Sequence, residues 1–173
     1  MEIREAHPAE YEATGELLVE AYCGVDGLPL TDEYIAELRD VARRAASSRV
    51  FVALVDGILA GTVTFVPGAG SSAAEFDDPR GCGIRMLAVA PAARGLGLGK
   101  ALTVACLDAA RRLSRRTVYL HTTDWMPAAR RIYESMGFVR DETLDWVPDD
   151  EPDILLRGYR LELARNRGRG GDE

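Results

Sequence analysis

Met86-Leu87-Ala88-Val89-Ala90-Pro91-Ala92-Ala93-Arg94-Gly95-Leu96-Gly97-Leu98-Gly99-Lys100-Ala101-Leu102 decides the reading of this chain. An apolar run ending at Pro91 has the pattern of a strand. Alternating glycines follow, and then Leu98, Leu102, Ala105 and Ala109 recur at helical spacing. Where a strand passes through glycines into a helix, the first helical N–H groups lack intrahelical acceptors and the helix dipole adds partial positive charge. Such a place holds anions. Glycines let phosphate oxygens approach the backbone without meeting a Cβ, and they accept the positive φ a tight turn needs. Arg94 and Lys100 bracket the loop with charge, and Lys100 is the only lysine in the chain. The stretch suits a phosphorylated cofactor.

Spacing narrows the choice of cofactor. Lys100 stands three residues after Gly97, where the dinucleotide fingerprint G-x-G-x-x-G requires glycine. A P-loop needs G-x-x-x-x-G-K-[ST], but Gly95 to Gly99 is one residue short and Lys100 is followed by Ala101, which has no hydroxyl for Mg²⁺. What fits is Arg94-x-x-Gly97-x-Gly99 after a strand ending Val89-Ala90-Pro91. This arrangement resembles the acyl-CoA-binding motif of GNAT-type N-acetyltransferases. A second landmark is Arg130-Arg131-Ile132-Tyr133-Glu134-Ser135-Met136-Gly137-Phe138, which resembles that family's tyrosine-bearing helix ending in Gly-Phe.

Working outward, Ile3–Ala6 reads as a strand and Ala9–Tyr22 as a helix opened by Pro8. After a Gly/Pro loop, Thr31 or Asp32 caps a helix whose apolar positions run from Tyr34 to Ala45. Strands are expected at Val50–Val55 and Ile58–Val66, joined by an Asp56-Gly57 type I′ turn. Further strands are expected at Cys82–Val89, Thr117–Thr122, from Phe138, and at Ile154–Leu163. The order β-α-α-β-β-β-α-β-α-β-β is that of the resembling family. It implies an α/β, single-domain GNAT fold over residues 1–164, a mixed central sheet with a splayed strand pair and flanking helices. Residues 165–173, rich in Gly and Arg, are expected to be a disordered tail.

Composition sets the bounds. With 173 residues, 47% hydrophobic and 28% charged, the chain is an ordinary globular domain. A net charge of −7 argues against non-specific nucleic-acid binding and sits better with an amine substrate. No apolar run reaches the ~18 residues of a membrane helix. Met1-Glu2-Ile3-Arg4-Glu5 lacks a signal-peptide layout, so a cytoplasmic location is expected. Cys23, Cys82 and Cys106 form no C-x-x-C pair, and with only His7 and His121 beside them no metal site is expected.

The resemblance implies acetyl-CoA as acyl donor. It places the pantetheine arm on the backbone of Leu87, Ala88 and Val89. The pyrophosphate falls on the Arg94, Gly95, Gly97, Leu98, Gly99 and Lys100 loop, with Ala129 also in contact. Tyr133 is implied as the acid that protonates the leaving thiolate; its bland alternative is a buried core tyrosine. No carboxylate lies between Gly81 and Ala90, where some family members carry a glutamate. The base is therefore open among Glu75, Asp77, Asp78, Asp124, His121 and water. Met126 stands where many relatives have an asparagine. Acetyl transfer to a primary amine is expected, a small molecule slightly ahead of a protein N-terminus or lysine. The rival is a non-catalytic acyl-CoA-binding domain, and a homodimer is left open. An electronegative rim is expected from Gly24–Leu30, Glu75–Asp78 and Asp149–Asp153.

Overall fold

A computed structural model describes residues 1–149 and 153–164; the expected tail at 165–173 lies outside them, as does part of the acidic loop. Strands β1 (Glu2–Glu5), β2 (Arg49–Val55), β3 (Ile58–Val66), β4 (Gly81–Val89), β5 (Thr117–Thr122), β6 (Val139–Arg140) and β7 (Arg157–Glu162) form one sheet. Its order is β1-β2-β3-β4-β5-β7-β6. Every pairing is antiparallel except β4 with β5. Helices α1 (Tyr11–Cys23), α2 (Asp32–Arg39) and α3 (Val41–Ala45) precede β2, while α4 (Leu98–Arg112) follows β4 and α5 (Pro127–Ser135) follows β5. This is the mixed sheet with flanking helices that the sequence implied.

The helical stripe that the spacing carries through to Ala45 is divided in the structure. Asp40 turns to ψ 65°, and its carboxylate accepts the N–H of Arg43 at 3.0 Å, capping α3 as a new helix. Arg44 fastens the break: it is buried, and its guanidinium donates to the carbonyls of Glu37 and Leu38 at the end of α2. The expected last strand, 154–163, begins only at Arg157, because Leu156 is spent on an isolated bridge with Trp146.

The sheet carries a core on each face, and β4 serves both. Cys82 and Ile84 pack with Leu98, Leu102 and Cys106 of α4. Met86 and Ala88 instead join Leu17, Leu18 and Ala21 of α1. A β-bulge makes the change of face: Thr64 pairs with Arg85 and Thr62 with Ala88, so Val63 faces both Met86 and Leu87. Met86 takes φ 54° there, which is uncommon for a non-glycine residue. Beyond the bulge, Leu87 and Val89 return to the α4 side. Burying side chains such as Leu98, Leu102 and Leu120, each 2% exposed or less, contributes about 1.5–3 kcal/mol apiece.

Candidate active site

The parallel pairing of β4 with β5 runs only from Gly81–Thr117 to Ile84–Leu120. From Arg85 onward, β4 is paired on its β3 side alone, and the strands separate. Backbone N–H and C=O groups of Leu87 and Val89 therefore face an opening. This opening continues into a cavity of about 660 Å³ over the start of α4, within the roughly 300–1,000 Å³ typical of cofactor clefts. Leu87, Ala88, Val89, Arg94, Gly95, Gly97, Leu98, Gly99, Lys100 and Ala129 all line it. The structure thus brings together in one wall the ten residues the resemblance implied for the cofactor.

The loop is shaped to admit a large anion. Gly97 is the N-cap of α4 at φ 78°, and a Cβ there would point into open space. Gly95 at φ 81° is equally open. Gly99 plays a different part, since a Cβ on it would come within 2.8 Å of Ile132; glycine lets α5 approach the start of α4. With Arg94 and Lys100 in the same wall and the first-turn N–H groups of α4 unpaired by geometry, the donor set fits the pyrophosphate and pantetheine of a CoA thioester. Met126 caps α5 without a side-chain bond. Trp125 and Met126 form part of the cavity wall, and so does the Gly24–Asp26 segment.

A second cavity, of about 140 Å³, lies on the other side of the splay. Tyr22 and Met126 line both cavities, so the two meet there. Burial pushes the Tyr22 phenol up to about 12, leaving it a hydroxyl at neutral pH. The sequence offered no signal for Tyr22, which reads as one more apolar position of α1.

Gly83 brings an acid to this second cavity. A Cβ on Gly83 would stand 2.9 Å from the Phe76 ring. Glycine lets that ring lie over β4 and stack on Tyr119, centroids 5.3 Å apart. Glu75, the preceding residue, then reaches Arg85 at 2.9 Å and His121 Nδ1 at 3.1 Å. Burial opposes ionisation of Glu75, but the His121 hydrogen bond and the Arg85 charge together outweigh it and hold the carboxyl below its ordinary range. His121 Nε2 lies 2.8 Å from the Leu144 carbonyl. Both ring nitrogens of His121 are thus engaged with oxygen atoms, one of the Glu75 carboxylate and one of the Leu144 carbonyl.

The remaining acid candidates lie apart. Asp124 forms a bidentate pair with Arg157 at 2.7 Å. Asp78 accepts from the Tyr119 hydroxyl and the Arg80 N–H. Asp77 and Asp124 line neither cavity. Of the acids expected at the rim, Glu75 is engaged with Arg85 and His121. Tyr133 is 5% exposed, packed edge-on to Phe138 at 5.7 Å. Burial drives its phenol well above the ordinary value. Among the described residues its hydroxyl has no hydrogen-bond partner, yet it is not one of the sealed, unpaired polar atoms. Among the described residues, no cluster of His, Cys, Asp and Glu is arranged to hold a metal, and no helix is long and apolar enough to cross a membrane.

Known proteins share this architecture. Residues 11–138 match the Acetyltransferase (GNAT) family. The fold superposes on a GNAT-family acetyltransferase of Staphylococcus aureus Mu50 with a TM-score of 0.75, at 17% identity over 94% of this chain and 99% of that one. It also superposes on yncA of Salmonella typhimurium, solved with its cofactor acetyl-CoA: TM-score 0.68, 26% identity, 95% of each chain. A shorter match is 39% identical to the mycothiol acetyltransferase of Renibacterium salmoninarum over 57 residues, 33% of this chain and only 17% of that protein's length. The chain therefore belongs to the GNAT acetyltransferase family. That is a class of acyltransferases for which acetyl-CoA is the donor.

Proposed function

We propose that this chain transfers the acetyl group of acetyl-CoA to the primary amine of a small molecule. The observation that carries this reading is the pair of cavities: a large one over the glycine loop and a compact one of about 140 Å³, in contact at Tyr22 and Met126. The donor's thioester would lie at the splay, where a β4 N–H polarises its carbonyl as a one-donor oxyanion site. The amine would enter from the smaller cavity. Tyr133, with a hydroxyl free of protein partners among the described residues, is the proposed acid for the departing thiolate. Glu75, held ionised by Arg85 and His121, is a weak base, and both ring nitrogens of His121 are occupied by Glu75 and the Leu144 carbonyl. The amine therefore loses its proton to water.

Release of free thiol from acetyl-CoA, followed with purified protein across small amines and peptides with free N-termini, tests the reading. Turnover is expected with small amines. Turnover confined to peptides moves the acceptor class to proteins. Tight acetyl-CoA binding without thiol release from any acceptor establishes the binding-domain reading instead, which the lack of a poised base favours.

A further inference from the structure

Resting on that acyl-transfer reading, we propose that the acceptor is a zwitterion: a small amino-carboxylate whose carboxylate is anchored by Arg85 and whose amine points to the junction at Tyr22. The smaller cavity is not uniformly apolar. Arg85, His121, Glu75 and Glu37 share its wall. Arg85 Nη2 lies 2.9 Å from Glu75 and 3.5 Å from Glu37. Behind them Arg44 is buried against backbone carbonyls. Both carboxylate contacts of Arg85 run through Nη2, and Glu75 is shared between Arg85 and His121. Among the described residues, no carboxylate pairs with Arg85 Nη1.

Two further groups in the wall point to a polar ligand. Thr122 and Thr123 are 5% and 7% exposed, and among the described residues their hydroxyls have no partner. A buried hydroxyl left unpaired costs about 1–3 kcal/mol, a cost that a ligand oxygen would relieve. Arg85 still has donors to offer, because its Nη1 makes only a long 3.4 Å contact with the Ala73 carbonyl. A carboxylate there accepts from both sources. The same guanidinium repels an ammonium, so the acceptor's amine is turned away from Arg85.

The rest of the wall sets the side chain. Leu28, Leu30, Trp146, Ile154 and Leu156 give an apolar flank. A cavity of ~150 Å³ lined by apolar groups holds a benzene-sized ligand, and this one is about 140 Å³. It therefore takes an amino-carboxylate with a compact aliphatic or aromatic side chain. A peptide N-terminus lacks the feature in question, since its α-carboxyl group is tied up in an amide.

The test compares three forms of one skeleton: leucine, leucinamide and 3-methylbutylamine, with phenylalanine and its counterparts as a second series. Thiol release from acetyl-CoA gives kcat/KM for each. The free amino acid is expected to exceed the amide and the amine at least about 100-fold, since a site built around a polar group rejects analogues lacking it. Arg85→Gln is expected to erase that preference while leaving acetyl-CoA affinity unchanged. Should this variant fail to fold, the wild-type comparison alone decides. Equal or faster turnover of the amide or the amine overturns the carboxylate anchor and leaves acyl transfer standing. Thiol release from no acceptor, peptides included, in protein that binds acetyl-CoA overturns both.

Discussion

Glu75 and His121, 46 residues apart in sequence, meet at 3.1 Å because Gly83 leaves the Phe76 ring room to settle on β4. The acid in the smaller cavity thus comes from a loop, while strand β4 itself carries no carboxylate. A missing side chain on the strand is what admits one from outside it.

Gly83→Ala tests that relationship. The added methyl overpacks against Phe76 and would lift Glu75 away from Arg85, at about 1–2 kcal/mol, or a Tm lower by roughly 3–6 °C. KM for the acceptor should rise several-fold with acetyl-CoA affinity unchanged. Weaker acetyl-CoA binding at constant acceptor KM would show that the loop serves the donor side.

Gly97→Val tests the phosphate loop. If the loop amides carry the pyrophosphate, a side chain there should weaken CoA binding at least tenfold, about 1.4 kcal/mol. Positive φ adds backbone strain, and Gly57→Val is the matched control. Gly57 has φ 79°, equally open surroundings, and lies in the β2–β3 turn away from the cavity. Calorimetry should find CoA binding reduced only in the first variant. Equal affinities in both would remove the loop from the cofactor site.

Tyr133→Phe keeps the ring packed on Phe138 and removes only the hydroxyl. As the acid, Tyr133 should account for a roughly 10²-fold share of kcat, with CoA affinity little changed. Tyr22→Phe belongs beside it, because Tyr22 lines both cavities. If Tyr22→Phe loses the rate and Tyr133→Phe keeps it, the acid is Tyr22.

Glu10 governs a separate acid transition. The bidentate hydrogen bonds from Arg4, aided by the His7 N–H, lower its carboxyl from 4.5 to about 2. Because the folded value is depressed, the stabilisation is complete above about 4.5 and fades as pH falls toward 2. Glu10→Gln should lower Tm at pH 7, with the gap to wild type closing across that window. A gap independent of pH would mean the ion pair is not its source.

Much of this was readable in the chain. Ile58–Val66 and Thr117–Thr122 are strands with the bounds their β-branched alternation indicates. The Asp56-Gly57 turn has both residues at positive φ, and the ten loop and strand residues line one cavity because they are close in sequence apart from Ala129. Local chemistry writes such features directly. The smaller cavity was not legible in the same way: it draws on α1, the 67–80 loop, β4, β5 and the segment before β7. No periodicity links Glu75 to His121, or Tyr22 to Met126. Asp40 was missed for a different reason. A helical stripe of apolar residues continues past it, and only its side chain's preference for capping divides the helix.

The bulge at Met86 makes β4 two half-strands of opposite allegiance. Before it, Arg85 turns to the smaller cavity and its charges; after it, Leu87 and Val89 turn to the larger cavity and α4. On the proposed reading, an exchange at Arg85 alters the acceptor and leaves the donor's strand edge at Leu87 and Val89 in place. The strand is in this sense modular.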